Sequence, residues 1–312
     1  MKKVSLLFMC GILISVVIVE GTVRIVSPLL GPPLTKWNTM EDAKILKLEE
    51  FRLKHIDPNY VFMGNSTTLI GLDPSVFNSE IDLPAGSSFN AAMNGSEIQQ
   101  IRDFACGYII KKIQPKNLVI LFSNSGMATN ETYLPLNTDT STLEKFSYVY
   151  RYRNTFRDPM SINTLIRVLR YQDDRQGLVY RWADNLDDFG YTKYGTSESA
   201  IANLGWDPTE VMVREELTVP SIEVKGMKYL VEIRDLSRKH GGDLIIGTVP
   251  TLTYDPNYRR AIEEMAKYLG VKFIQGNDAV GQGEYFQDDV HLNKRGAVEF
   301  SKYLALELSK FG

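Results

Sequence analysis

The segment Phe286-Gln287-Asp288-Asp289-Val290-His291-Leu292-Asn293-Lys294-Arg295-Gly296 carries one of the three histidines in this chain, with a carboxylate three residues before it. A histidine that works as a general base needs a second group to fix its tautomer and to support the charge it acquires. An Asp-x-x-His spacing in a tight loop supplies that group, because the loop turns Asp288 back beneath the imidazole of His291. Such a dyad lacks only a nucleophile. Ser66 offers one, far upstream in Val61-Phe62-Met63-Gly64-Asn65-Ser66-Thr67-Thr68. The plainer reading of Ser66 is a helix cap, a position that serine and threonine favour. His55 reads as a surface residue, and His240 as a cap where a cation is welcome at a helix end. Asp288, Asp289 and His291 have no second histidine to complete a metal set. With no Gly-rich phosphate loop and no metal-spaced Cys/His cluster, neither cofactor nor metal is expected.

These residues must be held by regular elements. Tyr60-Val61-Phe62-Met63 reads as a buried parallel strand that ends at Gly64. Gly64 permits either an unusual backbone angle or a close approach, and Ser66 follows at the carboxyl end of the strand. Ser88 to Ala92 reads as a second strand closed by Met93-Asn94-Gly95-Ser96, and a helix is expected from Glu97 to Lys112. Asn117 to Phe122 is a third strand, ending in Ser123-Asn124-Ser125-Gly126. After Pro220 a helix is expected over Ser221–His240, a strand over Asp243–Pro250, and a helix over Pro256–Leu269. A last strand over Val271–Ile274 and a closing helix over Lys294–Lys310 complete the chain. This rhythm predicts an α/β fold, a three-layer, doubly wound parallel sheet with helices on both faces. Ligands of open α/β sheets bind at the carboxyl edge of the strands, where Ser66 falls.

Two stretches break the rhythm. Lys2 and Lys3 precede an apolar run from Val4 to Val19, about 24 Å long as a helix and slightly short of a hydrocarbon core of about 30 Å. Continuing to Val26 completes a crossing, with Glu20 and Arg24 spaced to pair near the far interface. Residues 1–27 are therefore expected to form an uncleaved signal anchor that holds residues 4–26 in a lipid bilayer. The lysines place the rest of the chain outside the cytoplasm as a single-pass membrane protein. Residues 28–56 then read as a juxtamembrane linker and helix, with Pro28, Pro32 and Pro33 ending the first helix. Residues 57–312 form the main domain. Within it, residues 127–219 lose the strand-to-helix alternation and read as a helical and loop insertion over the active face. Its Tyr152, Arg153 and Arg157 could stack on and hydrogen-bond to sugar rings or an anionic polymer.

Composition sets the outer bounds. The 312 residues, 44% hydrophobic and 23% charged, hold ample material for one large core. The net charge of −3 offers no basic footprint for nucleic acid. Cys10 in the leader and Cys106 on a helix face are poor disulfide partners, and Cys106 reads as a lone buried thiol.

Together the motifs resemble the SGNH/GDSL hydrolase superfamily. The likeness rests on Gly64-x-Ser66 at the first strand, Gly95 after the second, Asn124 after the third and Asp288-x-x-His291 before the last helix. It covers roughly residues 60–124 and 244–310. It implies a flavodoxin-like fold, Ser66 as nucleophile, His291 as base and Asp288 as its orienting partner. It further implies an oxyanion hole made of the Ser66 and Gly95 amides and the Asn124 side chain. Asn65 stands where the family has an aspartate, and Phe122-Ser123-Asn124-Ser125 stands where it has Gly-x-Asn-Asp. The leader and insertion are similar to the membrane-anchored branch, which includes alginate O-acetylation proteins and the protein of D-alanyl transfer to teichoic acid. That resemblance implies acyl transfer to or from a cell-surface glycan, with a membrane-bound O-acyltransferase as partner. A plain carboxylesterase or lipase using the same residues, and a non-catalytic scaffold for a cell-envelope polysaccharide modification system, are the alternatives.

Overall fold

The computed structural model describes residues 2–26, 40–123, 149, 186–192, 224–252, 256–281 and 283–311. By contact the chain falls into two units, Met1–Leu46 with Asn137–Trp182, and Lys47–Leu136 with Ala183–Gly312.

The described part of the first unit is chiefly a helix, α1 (Lys2–Val26). Its Glu20 and Arg24 pair at 3.7 Å, as their spacing predicts. Ile12, Leu13, Ile14 and the run Val16–Val19 are exposed. Among the described residues, no helix is long and apolar enough to cross a membrane. Glu20 and Arg24 interrupt the distal turns. α2 (Met40–Leu53) follows over the stretch whose apolar spacing is only loosely helical.

In the second unit, five strands form one parallel sheet in the order β2-β1-β3-β4-β5. They are β1 (Tyr60–Met63), β2 (Ser88–Asn90), β3 (Asn117–Phe122), β4 (Asp243–Thr248) and β5 (Lys272–Ile274). The order sends the chain from β1 first to one side, to β2, and then to the other, to β3, so a crevice opens between β1 and β3 at the carboxyl edge. Between strands run α3 (Ser66–Gly71), α4 (Pro74–Glu80), α5 (Ile98–Phe104), α6 (Val224–Lys239) and α7 (Pro256–Leu269), and α8 (Lys294–Ser309) closes the chain. α8 packs on α4 and α3, whereas α6 packs on α5 and α7. Helices thus cover both faces of the sheet, and β3 is buried from Leu118 to Phe122 because it is central and covered twice. One core cluster joins Phe62, Phe77, Val119, Ile245, Phe300 and Leu304. Phe77 meets Phe62 edge-on at 5.0 Å and Tyr60 at 5.2 Å. Each fully buried phenylalanine stabilises the fold by about 1.5–3 kcal/mol.

One expected helix differs in kind. The segment foreseen as a single α-helix runs as α5 only to Phe104, then continues as a π-helix over Ala105–Ile113. The wider turn closes with the Gln114 amide on the Ile109 carbonyl at 3.0 Å, and Gln114 ends it in a left-handed conformation. Ile109, Ile110 and Ile113 remain buried through the change. Cys106 sits within it as a free, half-buried thiol, pushed up to about 11 mainly by burial. His55 is exposed, and His240 is exposed just beyond the end of α6. Of the insertion expected at 127–219, only residue 149 and residues 186–192 belong to the described part.

Gly276 sits where β5 leaves the sheet, and a Cβ there would stand 1.9 Å from the Thr248 carbonyl oxygen and 2.8 Å from the Phe300 ring. Backbone cannot yield as a side-chain tip can. Gly276→Ala is expected to destabilise the protein by about 1–3 kcal/mol, read as a lower urea midpoint at unchanged slope.

Candidate active site

The nucleophile candidate owes its position to three neighbours. β1 ends at Met63, and Gly64 follows in a place with no room for a side chain. A Cβ there would meet the Thr68 hydroxyl at 2.2 Å and the Leu121 carbonyl oxygen at 2.7 Å. Close approach is therefore the reason for Gly64, since it is not among the positive-φ glycines. Asn65 then caps α3, its Oδ1 accepting from the Thr67 amide at 3.1 Å and the Thr67 hydroxyl at 2.6 Å. The Asn65 side-chain amide donates to Ser123 Oγ at 2.7 Å, tying the end of β1 to the end of β3. Ser123 is held in turn by the Tyr258 hydroxyl, which donates to its carbonyl. Asn65, not Ser66, is the helix cap. Ser66 is left as the first helical residue, half-buried, with its hydroxyl free to engage another partner.

That partner is His291. Its Nε2 lies 2.8 Å from Ser66 Oγ, although the two residues are 225 positions apart. Its Nδ1 lies 2.8 Å from Asp288 Oδ2 and 3.0 Å from Oδ1. Both contacts are satisfied together when Nδ1 carries the proton and Nε2 accepts from the serine hydroxyl, the tautomer assigned from this network. The loop is pinned at both ends and at its middle. Phe286 and Leu292 form an antiparallel bridge, the Gln287 amide donates to the His291 carbonyl at 2.9 Å, and the Leu252 amide donates to the Asp289 carbonyl at 3.1 Å. Asn293 caps α8 through the Gly296 amide at 3.0 Å while its own side-chain amide donates to the Glu284 carbonyl at 2.6 Å. Leu292, fully buried between them, anchors the loop in the core.

Asp288 Oδ1 also accepts from the amides of Val290 at 3.0 Å and His291 at 2.7 Å. Burial by itself would raise this carboxyl. The hydrogen bonds from the His291 ring and from those two amides outweigh it and hold Asp288 below its ordinary value. The group therefore stays ionised and faces the imidazole as an anion.

The expected oxyanion donors are placed unequally. The Ser66 amide lies in the first turn of α3, where no intrahelical acceptor exists for it. Gly95 occupies an exposed turn at φ +64 with open space around its Cα. That turn is fixed against the loop that leads to Ser66, because the Gly64 carbonyl accepts from the Met93 amide at 3.1 Å and from the Ser96 hydroxyl at 2.7 Å. Asn124 directly follows Ser123 and lies outside the described residues, as do Tyr152, Arg153 and Arg157. Asn90, Ser96, Ser123 and Tyr258, which support the site, escape sequence reading. Only Asn65 leaves a local signal, an Asn before Ser-Thr-Thr at a helix start. A cavity of about 310 Å³ lies beyond the histidine loop, lined in part by Leu252, Arg259, Asn277, Asp278 and Phe286.

No family model and no curated protein matches this sequence. Among solved structures, the chain is similar to a GDSL-like lipase from Bacteroides thetaiotaomicron at 12% identity and a TM-score of 0.40, over 85% of this chain and 98% of that one. It is also similar to an inhibitor-bound aryl esterase from M. smegmatis at 7% identity and a TM-score of 0.38, over 81% of this chain and 99% of that one.

A carboxyl held below its unfolded value adds stability that is complete above that value and disappears as pH falls through the folded one. The unfolding free energy should thus decline from about pH 4 downward, and Asp288→Asn should show a smaller decline in urea titrations across the same range. Equal declines in both proteins would mean the His291 loop does not stabilise the carboxylate.

Proposed function

We propose that this protein is an SGNH-type serine hydrolase or acyltransferase that acts on ester-linked acyl groups through an acyl-serine intermediate. The observation that carries this reading is the unbroken run from Ser66 Oγ to His291 Nε2, 2.8 Å, and from His291 Nδ1 to Asp288 Oδ2, 2.8 Å. As Ser66 Oγ bonds to the ester carbonyl carbon, its proton passes to Nε2. The imidazolium so formed is stabilised by Asp288. The same proton then goes to the departing alcohol as the C–O bond breaks. A second oxygen nucleophile, water or a sugar hydroxyl, gives up its proton to Nε2 as it bonds to the acyl carbon, and that proton passes to Ser66 Oγ as the acyl–serine bond breaks. The Ser66 and Gly95 amides and the Asn124 side chain are assigned to the oxyanion, where losing one donor costs about 2.7–4 kcal/mol.

The finer reading is an extracytoplasmic enzyme, held in the membrane by residues 4–26, that moves O-acyl groups on a cell-surface glycan. Its supports are the exposed apolar run of α1 and the likeness of the leader and insertion to membrane-anchored members of the superfamily. Tyr152, Arg153 and Arg157 are assigned to sugar contacts, and a membrane-bound O-acyltransferase is the partner this reading requires. Alkaline carbonate washing of membranes should leave the full chain in the pellet; release into the wash sinks the anchor.

A fluorophosphonate probe should add its mass to the peptide containing Ser66, and Ser66→Ala should remove the label. His291→Ala should lower turnover of an aryl acetate by about 10²–10⁴-fold. Neither substitution should move the melting temperature by more than about 2 °C. Absence of label on a folded parent protein would favour the non-catalytic scaffold, and turnover by water alone without transfer to glycan would favour the plain esterase.

A further inference from the structure

Asn90, the last residue of β2, is fully buried. Its side-chain amide donates to three carbonyls of the nucleophile helix and the residue after it: Thr68 at 3.1 Å, Leu69 at 3.3 Å and Leu72 at 2.8 Å. The Thr68 carbonyl also accepts from the Leu72 amide at 3.1 Å, and the other two carbonyls lie where a six-residue helix runs out of amides of its own. Its Oδ1 accepts from the Ala92 amide at 3.0 Å, at the start of the loop that leads to Gly95. One side chain therefore grips the helix that begins with Ser66 and the loop that presents Gly95.

Asn90 is itself clamped from outside the sheet. Its backbone amide donates to the Phe189 carbonyl at 2.8 Å, in a turn closed by the Leu186–Thr192 bridge. Asp187 organises that turn by accepting from the Phe189 and Tyr191 amides, each at 2.8 Å. Gly190 crosses the Asn90 carbonyl at φ +80, where a Cβ would stand 2.4 Å from that oxygen and 2.8 Å from the Phe89 ring. The turn covers the edge of β2, which would otherwise be open, and fixes the residue that holds the two loops.

We infer that Asn90 is a positioning residue for the Ser66 reaction, setting the distance between nucleophile and oxyanion donors, with the turn at 186–192 as its outer support. The inference rests on the acyl-serine reading above. It also follows from the chemistry of the bonds. Three carbonyls around one side-chain nitrogen call for a donor there, and a carboxylate of the same shape would repel all of them.

The test uses the full chain, an aryl acetate as substrate and a fluorophosphonate to count active sites, so that turnover is expressed per labelled site and unfolded protein drops out. Asn90→Ala should lower kcat per labelled site by about 100-fold, the effect of misplacing a reacting group by about 1 Å, with KM within about twofold. Asn90→Ser, whose hydroxyl can serve one carbonyl, should recover part of that loss. Gly190→Ala should act in the same direction from outside the site, and both remain measurable should Asn90→Ala fail to fold. Unchanged kcat per labelled site in these variants would make Asn90 structural only and overturn the inference. A parent protein that takes no label at Ser66 would instead overturn the acyl-serine reading and this inference with it.

Discussion

The site depends on how closely the end of β1 can approach its surroundings at Gly64. With no side chain there, the Leu121 carbonyl of β3 and the hydroxyl of Thr68 come within contact distance of the same backbone. Thr68 Oγ1 donates to the Leu121 carbonyl at 3.4 Å, so α3 is seated on the sheet within one turn of its start. Ser66 then has nowhere to go but the rim of the crevice. A Cβ at Gly64 would lift α3 off β3, and the serine hydroxyl would leave the place where the imidazole meets it.

Around that approach the structure places buried polar groups that are all used. Asn65 reaches across to Ser123, Asn90 gathers carbonyls where α3 ends, and Ser96 returns to Gly64. Each is at least nine-tenths buried, and each would be costly without its partner. Such groups are expensive to bury, so they specify geometry where an apolar contact would tolerate sliding. The histidine loop uses the same device with two anchors, Leu292 in the core and Asn293 on the Glu284 carbonyl. The two halves of the site are thus each fixed to the sheet, and their meeting does not depend on the flexibility of either loop.

The strands at Tyr60–Met63 and Asn117–Phe122 and the helix at Pro256–Leu269 fall where their apolar runs and turn residues place them. Doubly covered strands read as continuous apolar segments, and amphipathic helices as periodic ones, so both are visible locally. The second half of the helix after β2 is different. Its apolar spacing fits an α-helix and a π-helix alike, and the backbone bond from Gln114 to Ile109 leaves no mark in residue types.

The sequence by itself determined the alternation of strands and helices, the Asp-x-x-His loop and the serine at a strand end, because each is written within a dozen neighbouring residues. Only the tertiary structure decided that Ser66 is not the cap of its own helix, since Asn65 fills that place, and that its hydroxyl faces His291. It alone decided the part played by Asn90, whose acceptors lie 18 to 22 residues away along the chain. Hydrogen bonds between distant segments are set by how a sheet orders its strands, and strand order is a property of the whole domain that no local pattern contains.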